Sequence, residues 1–311
     1  MRPFFGYHMP RYTFPDVPPE RLFDRLLELV EAAEAAGFDM VTVMDHFYQI
    51  ANVGREDEPM LEGYTTLGAL AARTTRVRLG TMVTGVTYRN PAMLAKMVTT
   101  LDVISHGRAV LGIGAGWNES EHRGYGFDFP PIGERMDRLD EALAICHRMF
   151  TEERPSFEGS HYRIDEARNV PRPLQAGGPK ILIGGGGERR TLRLVAKYAD
   201  MSNWFGTLDD VRHKTEVLER HCEEVGRDPS TIVRTIMSPF VLVRDQREAA
   251  SLMADLSPER RAMSTAATPE QAAEGLRPYL DAGVGGIVFR NTTMLTPDAI
   301  ALAGELIGLL S

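Results

Sequence analysis

Short bulky apolar runs alternate with stretches of helical spacing along nearly the whole chain. Val77 to Val83 and Arg108 to Ile113 are apolar without period-two alternation, as strands covered on both faces of a parallel sheet are. Between them, Pro91 to Ile104 sets Leu94, Val98, Leu101 and Ile104 on one side, which predicts a helix and so a βαβ unit. The same alternation predicts a strand at Phe4 to Met9, a helix from Pro19 to Ala36 stopped by Gly37, and a strand at Met40 to Met44. A helix from about Gly63 to Thr75 and another from Pro131 to Phe150 flank the central unit. Farther on, strands are expected at Lys180 to Ile183, Asp200 to Trp204, within Val233 to Val243, and at Gly286 to Arg290. The helices between and after them cover Glu188 to Tyr198, Leu208 to Val225, Pro269 to Ala282 and Pro297 to Leu310.

Strand and helix thus alternate about eight times, the order of an α/β protein built as a (β/α)8 TIM barrel. No linker divides the sequence, so residues 1–311 read as a single domain. Ser156 to Pro173 reads as a hairpin insertion: Gly159 and the Asn and Pro residues break helix, while Phe157, Tyr162 and Ile164 favour strand.

Barrels place their chemistry at the carboxyl ends of the strands, and polar or glycine-rich groups gather there. His46, Met82 to Gly85, Gly114 to Glu119, Gly184 to Gly187 and Asn203 to Phe205 would line one mouth. His46 ends an apolar strand beside an acid, which favours a functional role over a structural one. Asp45 reads either as a catalytic acid or as a cap or partner that orients His46. The tetraglycine Gly184, Gly185, Gly186 and Gly187 lies between a strand and a helix, where backbone N–H groups and the helix dipole receive phosphate; the alternative is a tight turn. Arg189, Arg190 and Thr191 could add donors, with one arginine turned to solvent. Gly112, Gly114 and Gly116 begin a dinucleotide fingerprint that fails at Trp117, where its third glycine should stand. Trp117 either walls a pocket or packs in the core. Asn118 and Glu119 are either solvated or, for the amide, able to read the edge of a heterocycle.

Composition removes several classes. With 311 residues, 43% hydrophobic, the chain can bury a large core, and a formal charge of -8 argues against a nucleic-acid surface. No stretch is apolar for long enough to span a bilayer, and the start lacks the apolar core of a signal peptide, so a cytoplasmic protein is expected. Cys146 and Cys222 are not in a CxxC spacing and read as free thiols. A metal-dependent hydrolase would need clustered ligands such as HxH at the first strand; His8 stands alone there, and no metal is expected.

The segments GFDMVTVMDHF, VRLGTMVTGVTYRNPAML, HGRAVLGIGAGWNESEHRGYGFDFP, PKILIGGGGERRTLRLVAKYADMSN and YLDAGVGGIVF resemble the bacterial luciferase-like family, and within it the branch of oxidoreductases that use coenzyme F420. The resemblance runs in order through almost the entire chain. It implies a TIM barrel, a homodimer, and a deazaflavin held over the barrel mouth with its phosphate near the loop after the fifth strand. Carried over position by position, His46 matches the histidine beside the ring, and Met82-Val83, with Thr84 following, the bulge behind it. That bulge is expected to hold a cis peptide bond. Gly116, Trp117 and Asn118 fall on the ring-side loop, with Asn118 as a ring-contacting amide, while Gly185 and Gly186 match the phosphate-side loop that Arg189 follows. The glutamate that donates a proton in the sugar-phosphate dehydrogenases of this branch has no match, because Ala115 to Trp117 occupy that stretch.

The activity this implies is hydride transfer between F420 and a small organic substrate, with His46 balancing the proton. An FMN-dependent monooxygenase is the nearest alternative, and a non-catalytic flavin or deazaflavin binding protein an alternative of another class. The substrate pocket would draw on the Ile50 to Leu61 loop and the hairpin insertion.

Overall fold

The computed structural model describes residues 2–254, 256, 261, 262, 264–290, 292 and 294–311. In chain order, β1 (Phe4–Met9) leads through a 3-10 turn into α1 (Leu22–Ala36), then β2 (Met40–Val43) and α2 (Gly63–Ala71). The third barrel strand comes in two pieces, β3 (Arg78–Thr81) and β4 (Thr84–Gly85), before α3 (Pro91–Ile104) and β5 (Ala109–Gly114). A short helix α4 (Glu119–Tyr125) and the long α5 (Ile132–Thr151) come next. After β6 (Phe157–Glu158) and β7 (Arg163–Ile164), the alternation resumes with β8 (Lys180–Gly184), α6 (Thr191–Tyr198), β9 (Met201–Trp204) and α7 (Leu208–Val225). The chain closes with β10 (Val233–Met237), β11 (Phe240–Leu242), α8 (Gln246–Ala254), β12 (Thr265–Ala267), α9 (Pro269–Asp281), β13 (Gly286–Arg290) and α10 (Pro297–Leu310).

Eight parallel strands close on themselves in the order β1, β2, β3, β5, β8, β9, β10, β13, with β13 paired to β1 and β3 to β5. The molecule is a (β/α)8 barrel. Alternation along each strand divides its side chains between two cores. Val41, Val43, Leu111, Ile113, Ile181 and Ile183 join the large cluster under the helices, whereas Met40, Val110, Leu182 and Met201 pack together as a smaller one inside the barrel. Toward the mouth the interior positions become polar or very small: His8, Thr42, Gly114, Gly184 and Asn203.

Expected and observed elements differ where tertiary contacts decide. The run from Val77 to Val83 is broken at Met82-Val83, where the peptide bond is cis, as the resemblance implied. Val233 to Val243 splits into β10, in the barrel, and β11, which pairs with β12 outside it. Phe157 and Glu158 pair antiparallel with Ile164 and Arg163, a two-stranded ribbon inside the Ser156 to Pro173 segment. Cys146 and Cys222 are buried and unbridged. Among the described residues, no helix is long and apolar enough to cross a membrane.

Candidate active site at the barrel mouth

A cavity of about 490 Å³ opens at the carboxyl ends of the strands. Of the residues picked out from the sequence, His46, Asp45, Met82, Val83, Thr84, Gly116, Trp117, Gly184 and Gly185 line it. One wall is glycine and alanine: Gly85, Gly114, Ala115, Gly116, Gly184 and Gly185. Two of these glycines make room for the bulge. A Cβ on Gly114 or on Gly184 would come within 2.9 Å of Val83 Cγ2, so the Val83 side chain is seated between two strands that carry no side chain there. The wall is nearly free of side chains, which lets a planar heterocycle approach the backbone closely.

His46 follows β2 and is held from behind. Its Nδ1 lies 2.7 Å from Glu121 Oε2, and its ring meets the Trp117 indole edge-on at 5.5 Å between centroids. Trp117 is 61% exposed, so it forms a lip of the cavity and not part of the core. Glu121 on α4 is fully buried. It also accepts hydrogen bonds from the backbone N–H groups of Phe47 and Tyr48 and from the Tyr88 hydroxyl. Burial resists charge on Glu121, but the bond to His46 and the two backbone donors hold its carboxyl below the usual range. Burial, reinforced by that carboxylate, pushes the Tyr88 phenol up, so it stays a donor.

Asp45 does not orient His46. It is 1% exposed and receives both arms of Arg89, at 2.6 and 3.0 Å. Arg89 in turn reaches Glu62 and lies over the Tyr64 ring. Burial pushes the Asp45 carboxyl up and the guanidinium pulls against it, so its charge rests on Arg89. This pair ties the tip of β2 to the turn before α3 and occupies both Asp45 oxygens with Arg89. Thr84 likewise engages its hydroxyl with Tyr64 and Thr81 behind the wall.

Other expected residues stand aside from the cavity. Asn118 begins α4, with its side-chain oxygen accepting from the Ser120 hydroxyl and its carbonyl accepting from His122. Gly186 and Gly187 extend past the wall: a Cβ on Gly186 would meet the Lys214 side chain, bringing a cation from α7 to this loop. Arg189 faces a separate outer cleft with Arg193 and Lys197, and Arg190 pairs with Asp137. At the cavity floor His8 donates or accepts across 3.0 Å to Thr42, and burial, reinforced by the charge of Arg290, pulls its imidazole down to about 3. Arg290 is the one Lys or Arg side chain lining the cavity among the described residues, and Phe205 covers its guanidinium.

Glu121, Tyr88 and Arg290 are absent from the residues expected on sequence grounds, and the first two join the site only in three dimensions. A buried acid in the polar run ESEHRGY carries no apolar periodicity, and nothing local tells Glu121 from its exposed neighbour Glu119. Arg290 does carry a signal: it ends a barrel strand, the position that singles out His46.

The model of the luciferase-like monooxygenase family covers residues 5–284, and the chain belongs to that family. An F420-dependent glucose-6-phosphate dehydrogenase of Intrasporangium calvum is 32% identical over 306 residues, spanning 87% of this chain and 88% of its own length. The enzyme of that name from Nakamurella multipartita is 32% identical over 315 residues, 90% of each chain. In fold, the chain is similar to an F420-dependent secondary alcohol dehydrogenase in complex with an F420-acetone adduct (TM-score 0.82, 19% identity, 100% of both chains). It is similar also to the EDTA monooxygenase of Chelativorans sp. BNC1 (TM-score 0.84, 15% identity, 100% and 95%).

Proposed function

We propose that this protein is an F420-dependent oxidoreductase that exchanges hydride with a small, weakly charged organic substrate, such as an alcohol or carbonyl compound. The observation that carries the reading is a histidine, braced by a buried carboxylate, lining one cavity with a wall of glycines. The relatives of more than 30% identity that are named F420-dependent dehydrogenases point to the coenzyme. When bound, it supplies hydride transfer at one ring carbon. Val83, wedged between Gly114 and Gly184, would support the back of the ring, with Met82, Gly116 and Trp117 around it. Gly185, Gly186, Gly187 and Lys214 would take the phosphate. His46 would hold or move the substrate's proton, and the apolar lining from Met44, Ile50, Val53 and Met136 would exclude water.

The lining argues against a sugar phosphate. By the resemblance, Ala115 to Trp117 occupy the stretch in which the sugar-phosphate enzymes of this branch carry a proton-donating glutamate, and among the described residues Arg290 is the one Lys or Arg side chain lining the cavity to meet a dianion. Residues 1–311 are read as one luciferase-like domain, and the resemblance makes a homodimer in the cytoplasm the expected assembly.

The test is anaerobic F420 reduction by a panel of primary and secondary alcohols and glucose 6-phosphate, with wild type and His46→Ala. At least one alcohol should be oxidised, and the variant should lose about 10²-fold in turnover while holding the coenzyme within about tenfold. Equal turnover by the variant removes His46 from proton transfer, and glucose 6-phosphate as the best donor overturns the substrate class.

A further inference from the structure

The four hydrogen bonds on Glu121 are of two kinds. One oxygen, Oε1, accepts from the main-chain N–H groups of Phe47 and Tyr48, which have no lone pair and can never reverse their role. The other, Oε2, faces His46 Nδ1 and the Tyr88 hydroxyl. A carboxylate accepts and cannot donate, so His46 Nδ1 must bring the proton to this contact. Among the described residues Nε2 has no hydrogen-bond partner, and His46 lines the cavity.

We propose that Glu121 is the positioning residue that fixes the tautomer of His46, with Nδ1 permanently protonated and Nε2 left as the nitrogen whose proton comes and goes. The assignment of the tautomer stands on the hydrogen bonds alone; its catalytic consequence rests on the oxidoreductase reading above. In the oxidising direction, the carbinol C–H bond of an alcohol would break with its electron pair leaving as the hydride that the coenzyme, when bound, would accept. The hydroxyl proton passes to Nε2, a C=O bond forms, and the proton then leaves Nε2 for water. The substrate loses two electrons and the coenzyme gains them. Between these steps the imidazolium would face the Glu121 carboxylate at 2.7 Å, which offsets its charge. The other titratable groups around His46 are Tyr88, His8 on β1, and Asp45, which Arg89 already neutralises.

Glu121→Gln turns this into a test, because the amide must keep its oxygen on the two main-chain N–H groups. Its NH2 then points at His46 and Tyr88, and the neutral imidazole has to accept at Nδ1 and carry its proton on Nε2. The variant keeps the size of the side chain and inverts the tautomer. Nitrogen-15 NMR of histidine-labelled free protein, with the His46 signals assigned by their loss in His46→Gln, reads the tautomer without substrate or coenzyme. The expected result, read on the neutral form of the ring, is Nδ1–H in wild type and Nε2–H in Glu121→Gln. Turnover should fall 10- to 100-fold with KM within about threefold, and Glu121→Asp should recover part of the loss. Nε2–H in wild type, or an unchanged tautomer in the glutamine variant, overturns the proposal. So does an inverted tautomer with full turnover. Should the glutamine variant not fold, the wild-type spectrum still decides. Wild type that reduces no coenzyme with any substrate refutes the oxidoreductase reading and leaves the tautomer assignment standing.

Discussion

At the scale of single residues, His8 gives the site a pH signature that does not depend on substrate. The folded protein keeps this imidazole neutral down to about 3, while the unfolded chain protonates it near about 6.5. Between those values the unfolded state binds the extra proton, so stability rises with pH across that window and is lost as pH falls through it from about 6.5 toward about 3. From pH 7 to pH 5 this one group should cost about 2 kcal/mol. Urea unfolding at both pH values is expected to show that loss shrinking by about the same amount in His8→Gln; an equal loss in wild type and variant would mean that His8 titrates normally in the folded state. His46 can be found from the sequence because it ends an apolar strand. Glu121 cannot, since its meaning depends on what surrounds it: a main-chain turn seventy-odd positions earlier and a tyrosine from the loop before α3.

At the scale of elements, the third barrel strand controls the mouth. Its two pieces, β3 and β4, flank a bulge that places Val83 against β5 and β8, and those strands answer with Gly114 and Gly184. Gly184→Ala should push Val83 toward the cavity, because the new Cβ has no room at 2.9 Å. The expected effects are F420 affinity at least tenfold weaker and a stability loss of about 1–3 kcal/mol. Both should be partly restored in Gly184→Ala/Val83→Ala, measured as a double-mutant cycle; additive losses would show that the two sites do not compete for that space. The long periodic helices, such as Leu208–Val225 and Pro297–Leu310, are legible to their last residue because an apolar face and a Thr cap mark each one. Helix α4 is not, since its buried face is Glu121 and His122; the latter spans Thr87 and the Asn118 carbonyl in place of apolar packing. The ribbon of β11 and β12 is hidden for a different reason: Val233 to Val243 reads as one apolar run, and only closure of the barrel decides that its second half must leave.

At the scale of the whole molecule, closure brings widely separated stretches of sequence to one mouth, and the proposed function is a property of that convergence. Strand order can be anticipated from alternation alone, as a right-handed parallel crossover repeats around the barrel. The choice of coenzyme cannot, because glycine loops and an apolar mouth are sequence features that a flavin site and a deazaflavin site share; the named F420-dependent relatives supply it. The decisive measurement is therefore fluorescence titration of the purified, cofactor-free protein with oxidised F420 and, separately, with FMN. An F420-dependent enzyme with its ring seated on the glycine wall should bind F420 saturably, with a Kd at least tenfold below that for FMN, and bind it more weakly in Gly184→Ala. Tighter binding of FMN, or F420 binding that the Gly184 substitution leaves untouched, would contradict that seating of the coenzyme.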